Sequence, residues 1–555
     1  MTGIRIRLLT AVIIFTISSS SVHALSYVPV GHRVYDFLER MENMYFISDA
    51  RMATKPMTRT RIATMLDGMK GNAVHMTPVD REEYQLLMAE FMNDLPDHRG
   101  IESDDRGPLP YTPGFLKSYL YRNRRNMVST VDRRYSLYLD PIVTRSGRFS
   151  SAGGEDKRVY VAGNGFLIRG SVGDHVGFHV DVRDSKEWGT RDYPELKQST
   201  TPGRGYVSFK GDRAEFDETR AHIAYTNGPF VLSYGSDCLE WGHGSSGTLA
   251  MSSYAAPFDM FRFESEFWRM RFVFFAGEIE QFPPIAKFYY YNPANAPDDS
   301  VTVKKYMTGH RVEIDVTNRL SIGLHETVIY GGRWDASYIN PLTFLTGSEH
   351  WNGDHDNVAM GLDFRALVHR SHSVYGELFI DDISMSKLGT DWYGNKLAWQ
   401  LGTYLVEPFG LFDVDARIEY TRLQPWVYTH KFPINGYHHY GDPLGYYTGP
   451  NSNALMVELR KRLTRKLHTT FRFDYLRKGL NPDGVNVGGD HLLGHTAADP
   501  EDAVFLDGEV VNTSLLNLHV SYELFWQCRL HAGYTYERRD GDAENLFTVS
   551  FGLNE

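Results

Sequence analysis

The stretch Trp241-Gly242-His243-Gly244-Ser245-Ser246-Gly247 carries a G-x-G-x-x-G spacing and sets an imidazole beside two hydroxyls. A dinucleotide site would need a helix after this turn and a surrounding βαβ unit, and the flanking residues offer neither. A serine nucleophile would need a strained strand-to-helix elbow, which the pattern also lacks. The residues support a tight, Gly-rich turn folding back at a strand end. A second stretch, Trp351-Asn-Gly-Asp354-His355-Asp356-Asn357, brings carboxylates and an imidazole together. Asp354, Asp356 and a carbonyl are a conceivable Ca²⁺ set, with a hydrated hairpin loop as the simpler reading.

A third stretch crowds Trp426, Tyr428, His430, Tyr437, His438, His439, Tyr440, Tyr446 and Tyr447 into one connection. Its histidines lack the compact spacing of a structural zinc site. Rings on a loop can stack on the apolar C–H face of a sugar while Asp, Asn and His meet its hydroxyls. The competing reading is a girdle of Tyr and Trp at a lipid interface. The candidate ligand contacts are therefore Trp351, Asp354, Asp356, Trp426, Tyr428, Tyr437, His439 and Tyr446, with no catalytic residue, cofactor or metal expected.

The elements that must position these loops have period two. In Leu411–Tyr420, Phe412, Val414, Ala416, Ile418 and Tyr420 alternate with Asp413, Asp415, Arg417 and Glu419. Val312, Ile314 and Val316 alternate with Arg311, Glu313 and Asp315, and Met360, Leu362 and Phe364 with Gly361, Asp363 and Arg365. Thr469, Phe471, Phe473 and Tyr475 repeat the pattern, as do Leu530, Ala532, Tyr534 and Tyr536. Strand after strand, one face is apolar and the other ionic. Lipid cannot solvate charge, and an open sheet edge in hydrocarbon is prohibitively costly, so this pattern predicts a closed transmembrane β-barrel with a polar interior. Aromatic residues make up 14% of the 555-residue chain, yet no internal run approaches the roughly 20 apolar residues of a membrane helix.

Connections alternate in length. They are tight at Gly173-Asp174-His175, Asn227-Gly228, Thr317–Arg319, Arg370–His372, Glu407–Gly410, Arg462–Lys466 and Phe525–Gln527. Between these they run long: after Tyr135–Thr144, at Cys238–Pro257, Glu278–His310, Arg333–Asn357, Ser384–Lys396, Thr421–Asn453 and Arg477–Glu509, with a modest loop at Arg538–Asn545. Such parity is the layout of an outer-membrane barrel, short turns on the periplasmic side and long loops outside, and the count is about eighteen antiparallel strands.

Before the strands the period is helical. Val34, Phe37, Leu38 and Met41 share one face; Ile62, Met65, Leu66 and Met69 follow Thr58; Tyr84, Leu87, Met88 and Phe91 follow Thr77-Pro78-Val79-Asp80. Thr77 can cap the Asp80 amide, and Pro78 suits a first helical turn. The organisation expected is a signal peptide at 1–24, a small α-helical bundle at 25–95 closing the periplasmic end, a Pro-rich linker at 96–112 and the barrel at 113–555. Arg5 and Arg7 before the apolar run Leu8–Ile17, and Val22-His23-Ala24 after it, are the export signal. Cys238 and Cys528 could pair or stay free, and a chain this long needs no staple. The formal net charge of −11 argues against a nucleic-acid partner.

The chain resembles the Wzi capsule-assembly family of outer-membrane proteins. The resemblance is carried by Val28–Arg40, Lys55–Arg59, Trp241–Gly244 with Gly247–Ser252 and Ala256–Phe258, Tyr338–Pro341, Asp356-Asn357 with Gly361–Asp363, Tyr375–Asp382 and Leu444–Asn451. It implies a barrel of about eighteen strands, an N-terminal bundle plugging its periplasmic end, and a non-enzymatic role holding capsular or extracellular polysaccharide at the cell surface. The expected partners are outer-membrane lipid and that polysaccharide, the expected state a monomer, and the alternative function a porin for solutes or saccharides.

Overall fold

The computed structural model describes residues 26–48, 50–95, 125–152, 155–190, 205–211, 213–281, 286–287 and 301–554. The expected signal peptide at 1–24, the linker at 96–112 and the first part of the expected barrel region, 113–124, lie outside them. An 18-strand antiparallel barrel runs from Tyr135–Ala152 to Asp542–Leu553. These two strands pair with each other, Val549 opposite Gly147, so the sheet closes without a free edge. Among the described residues no helix is long and apolar enough to cross a membrane.

Alternation places the side chains as the period demands. Along Val414–Leu423, Asp415, Arg417 and Glu419 are buried inside while Ile418 is 45% exposed on the outer wall. Phe412 and Asp413, expected in this strand, fall in the turn before it. The long loop expected after Thr144 is corrected too: strands Tyr135–Ala152 and Glu155–Val172 continue through that polar sequence, pairing Arg145 with Ala162 and Phe149 with Arg158. Backbone pairing, which is indifferent to side-chain polarity, carries this hairpin on past the apolar band. The loop expected at Arg538–Asn545 likewise shrinks to Asp540-Gly541, between strands Cys528–Arg539 and Asp542–Leu553.

Three α-helices precede the barrel: α1 (Val34–Asn43), α2 (Arg59–Gly68) and α3 (Pro78–Phe91). Thr58 caps α2 by accepting from the Arg61 amide, and Thr77 caps α3 by accepting from the Asp80 amide at 3.1 Å. Their apolar faces form one core of Val34, Leu38, Met41, Ile62, Leu66, Leu87 and Phe91, which Tyr375, Tyr404 and Val406 of the barrel wall complete. The bundle therefore sits within the barrel, at the end where the turns are short. There the Ser371 amide donates to the Asn43 carbonyl at 2.8 Å, and the Arg33 guanidinium lies 5.1 Å from the Trp526 ring centroid. Cys238 and Cys528 are both buried, and no disulfide joins them to each other.

Candidate functional site

The long-loop end is filled by the chain itself. Residues 424–451 fold back into the barrel mouth, where Trp426, Tyr428, Tyr437, Leu444 and Tyr446 are almost wholly buried. Tyr428 and Tyr437 stack with centroids 5.4 Å apart, and Phe379 of the wall meets both rings edge-on. Buried phenols need acceptors. Tyr428 Oη donates to the Leu249 carbonyl at 2.6 Å and Tyr437 Oη to the Ala250 carbonyl at 2.9 Å. The loop's own carbonyls are met by lysines at the ends of three wall strands. Lys305 Nζ donates to Gly436 and His438, Lys396 Nζ to Thr429 and Lys478 Nζ to Thr448, at 2.6, 2.9, 3.0 and 2.8 Å.

Deeper in the lumen lies the Gly-rich turn. Its strand Glu240-Trp241 pairs with Thr54-Lys55 of the N-terminal segment, so this loop meets the bundle. The amides of His243, Gly244 and Leu249 donate to the Glu377 carboxylate at 2.8, 3.0 and 2.9 Å. Those of Ser245 and Ser246 donate to Glu419 at 2.7 and 3.0 Å. Gly242 has φ +133° and a Cβ there would stand 2.0 Å from Glu377 Oε1, so only glycine permits this approach. Two wall carboxylates thus occupy the nest of amides, leaving it no place for a phosphate. His243 and the serines are not a catalytic pair: the imidazole lies 3.8 Å from Asp363, while Ser246 Oγ bonds Glu419 and Tyr446.

What the long-loop end turns outward is a different set. Within residues 332–356, Trp351 is 92% exposed, Phe344 79% and Trp334 62%. Beside them Glu349, His350 and Asp354 bring their ligand atoms within 4.8 Å of one another. Burial first, and then Asp354, push the Glu349 carboxyl up to about 7.

Residues 123–545 match the family model described as Capsule assembly protein Wzi. The chain belongs to the Wzi capsule assembly family. Among solved structures, the barrel is similar to Escherichia coli Wzi, described as an outer-membrane protein involved in group 1 capsule assembly and a carbohydrate-binding β-barrel. The identity is 14% over 95% of this chain and 99% of that one, with a TM-score of 0.57. OprD of Pseudomonas aeruginosa matches at 11% identity over 75% of this chain and 92% of its own, TM-score 0.39. OccAB1 of Acinetobacter baumannii matches at 10% over 75% and 96%, TM-score 0.41. No curated protein matches the sequence.

In this Wzi-family barrel the eight residues singled out in the sequence separate into groups. Trp351 and Asp354 are exposed, and the Asp354 carbonyl accepts from Lys431 at 2.9 Å. Asp356 is buried, held by Arg333 at 2.6 and 3.2 Å and by the Tyr338 hydroxyl at 2.6 Å, so its oxygens are committed and the Ca²⁺ set with Asp354 does not form. Tyr428, Tyr437 and Tyr446 are brought together, but in the core beneath the mouth-filling loop rather than as a surface; Trp426 is buried apart from them against Tyr393 and His495, and His439 against Phe258. His439 Nδ1 accepts from the Glu280 amide at 2.7 Å, and burial pushes its imidazole down to about 4, so it is neutral at pH 7. Sequence reasoning missed Trp334, Phe344 and the three lysines. Lone lysines at strand ends leave no signature, and the two rings stand outside the aromatic-rich connection.

Proposed function

We propose that this Wzi-family barrel holds capsular or extracellular polysaccharide at the cell surface, without catalysis, through the outward face of its long loops. The observation that carries the reading is a lumen closed at both ends: the bundle occupies the short-turn end and residues 424–451 the long-loop end. A barrel so closed presents its exposed rings outward, with Trp351, Trp334, Phe344 and the exposed Asp354 all on the connection 332–356. Aromatic faces and carboxylates are the groups that meet sugar C–H faces and hydroxyls, and many weak contacts along a polymer add to firm retention. The structurally similar Escherichia coli protein is described as carbohydrate-binding, which supports the same ligand class here. Trp351 and Asp354 are the direct contacts in this reading. Trp426, Tyr428, Tyr437, His439 and Tyr446 act by holding the outer surface in shape, and Asp356 by fixing the loop around Trp351.

The short-turn end is the periplasmic one, by the rule that outer-membrane barrels carry short turns inside. The bundle at 25–95 is then a periplasmic plug. A single chain suffices for the barrel, since its sheet closes on itself. The test is a strain lacking this gene. Its surface polysaccharide should be made in normal amount but shed into the medium, with retention restored by the wild-type gene and only partly by Trp351→Ala. Polysaccharide that stays cell-bound in the deletion strain would overturn the reading.

A further inference from the structure

Beside the Gly-rich turn lies a cavity of about 450 Å³, bounded by the turn, by the segment before α1 and by the barrel wall. Small-molecule sites typically measure roughly 300–1,000 Å³. Tyr254 and Tyr447 line it, their ring centroids 5.9 Å apart and inclined at 42°. Four serines, Ser245, Ser246, Ser252 and Ser253, line the same space; Ser246 Oγ is held by Glu419 and Tyr446, and Ser252 Oγ accepts from the Tyr254 amide at 3.2 Å. Ser253 Oγ is engaged with Glu240 at 3.3 Å. Among the described residues nothing bonds the hydroxyl of Ser245 or of Tyr254, so both are available to a ligand. Burial, with the charge of Asp442, pushes the Tyr254 phenol up to about 12, so it keeps its proton and can donate.

The charges on the lining narrow the ligand class. Lys55 pairs with Glu240 at 2.7 Å, Arg417 with Glu39 at 2.8 Å, Arg460 with Asp36 at 2.7 Å and Arg472 with Asp474 at 2.8 Å. A phosphate or a metal cation would have to break one of these partly buried pairs. A polyhydroxyl ligand with apolar C–H faces would not: it needs ring faces and neutral hydroxyls, which this lining supplies. The turn that forms one wall is fixed in advance by its amide bonds to Glu377 and Glu419. A smaller cavity of about 150 Å³ shares Arg417, Glu458 and Arg460 with this one and reaches Arg465 and Lys466 in a short turn. The two cavities thus adjoin along the seam between α1 and the wall.

We propose that this internal cavity is a second saccharide site, which takes a short sugar segment against Tyr254 and Tyr447 with Ser245 as a hydrogen-bonding partner. The proposal rests on the saccharide reading above for its ligand class but concerns a different place in the molecule. Full-length protein in detergent micelles is titrated calorimetrically with short oligosaccharides released by partial hydrolysis of the host cell's own surface polysaccharide. Wild type and the exposed control Asp67→Asn should bind with equal affinity. Tyr254→Ala should weaken binding at least tenfold and Ser245→Val several-fold. Ser245→Val keeps the backbone bond to Glu419, so it carries the test should Tyr254→Ala lower the heat stability of the barrel. Equal affinity of Ser245→Val and wild type would overturn the proposal. So would wild-type protein that binds no oligosaccharide although cells need the gene to retain polymer, and the outer-face reading would then stand. A deletion strain that keeps its polymer overturns the outer-face reading instead, and the titration alone then decides the cavity.

Discussion

Asp80 of α3 and Arg462 of the barrel wall form a buried ion pair that fastens the helical bundle to the barrel. Arg40 of α1 donates to the same carboxylate at 3.1 Å and reaches Glu407 at 2.8 Å and Asp415 of the wall. Helix, neighbouring helix and wall therefore meet at one carboxylate. Arg33 and Glu523 repeat the arrangement at 3.1 Å, and Arg51 and Asp315 at 2.6 Å. Breaking a buried pair from one side leaves an uncompensated charge, at a cost of about 3–5 kcal/mol.

Asp80→Asn is accordingly expected to loosen the bundle while leaving the barrel closed. In planar bilayers wild-type protein should be nearly silent, whereas the variant should show frequent, long openings. Limited proteolysis should cut the variant within Pro78–Phe91 and spare the wild type. Asp67→Asn, on the exposed face of α2, should behave as wild type in both assays.

The same pair sets an acid limit. Burial alone would raise the Asp80 carboxyl, but Arg462 and Arg40 outweigh it and hold it below the usual carboxylate range. A carboxylate with a depressed folded pKa contributes stability that is present above its unfolded value, about 3.9, and is lost as pH falls through the folded one. The Asp80 contribution to docking should therefore be constant from pH 7 down to about 4 and be lost progressively as the pH falls further, through the folded pKa. Channel openings that rise steeply under pH 4 in wild type, and are already present at pH 7 in Asp80→Asn, are the expected result.

At the other mouth the restraint is lysine against carbonyl. Lys305 is buried and donates from Nζ to the carbonyls of Gly436 and His438. Lys305→Met removes both bonds; the Gly436 carbonyl keeps the His438 amide at 2.9 Å, while the His438 carbonyl loses its lysine, at a cost of about 1–3 kcal/mol. Protease added to intact cells should cut within 424–451 in this variant, and retained polysaccharide should fall because the outer surface loses its shape. Lys431→Met, whose ammonium sits exposed on the Asp354 carbonyl, should leave 424–451 resistant.

The barrel was legible because each membrane strand must obey one local rule, and Asp363 and Arg365 inside against Leu362 and Phe364 outside state it within four residues. The helices were legible through caps such as Thr77, which act over a single turn. The aromatic-rich connection was legible as a cluster but not as a core. Tyr437 is buried because its phenol reaches Ala250, 187 residues away, and no local pattern records such a contact. The ion pairs of the plug were hidden for the same reason: Asp80 and Arg462 are 382 residues apart. Charge alternation showed that Arg417 faces inward, whereas its partner Glu39 belongs to a helix read separately.

Trp351 separates stability from retention. Its side chain is 92% exposed at the end of the short helix Leu345–Trp351, so Trp351→Ala removes little packing, and surface substitutions of this kind usually fall within about 0.5 kcal/mol. Heat-induced loss of the folded band on a gel should be unchanged. Tyr437→Ala, by contrast, empties part of the buried stack with Tyr428 and should cost about 3–5 kcal/mol, as truncating a buried ring does. Retention should respond the other way round per unit of stability lost. A stacking contact of about 1 kcal/mol changes the affinity of one sugar unit about fivefold. A polymer engages many barrels at once and multiplies that factor along its length. Cells carrying Trp351→Ala should therefore shed a large share of their polysaccharide from a barrel as stable as wild type. Unchanged retention with this variant and with Trp334→Ala and Phe344→Ala combined would move the polymer contact away from residues 332–356 altogether.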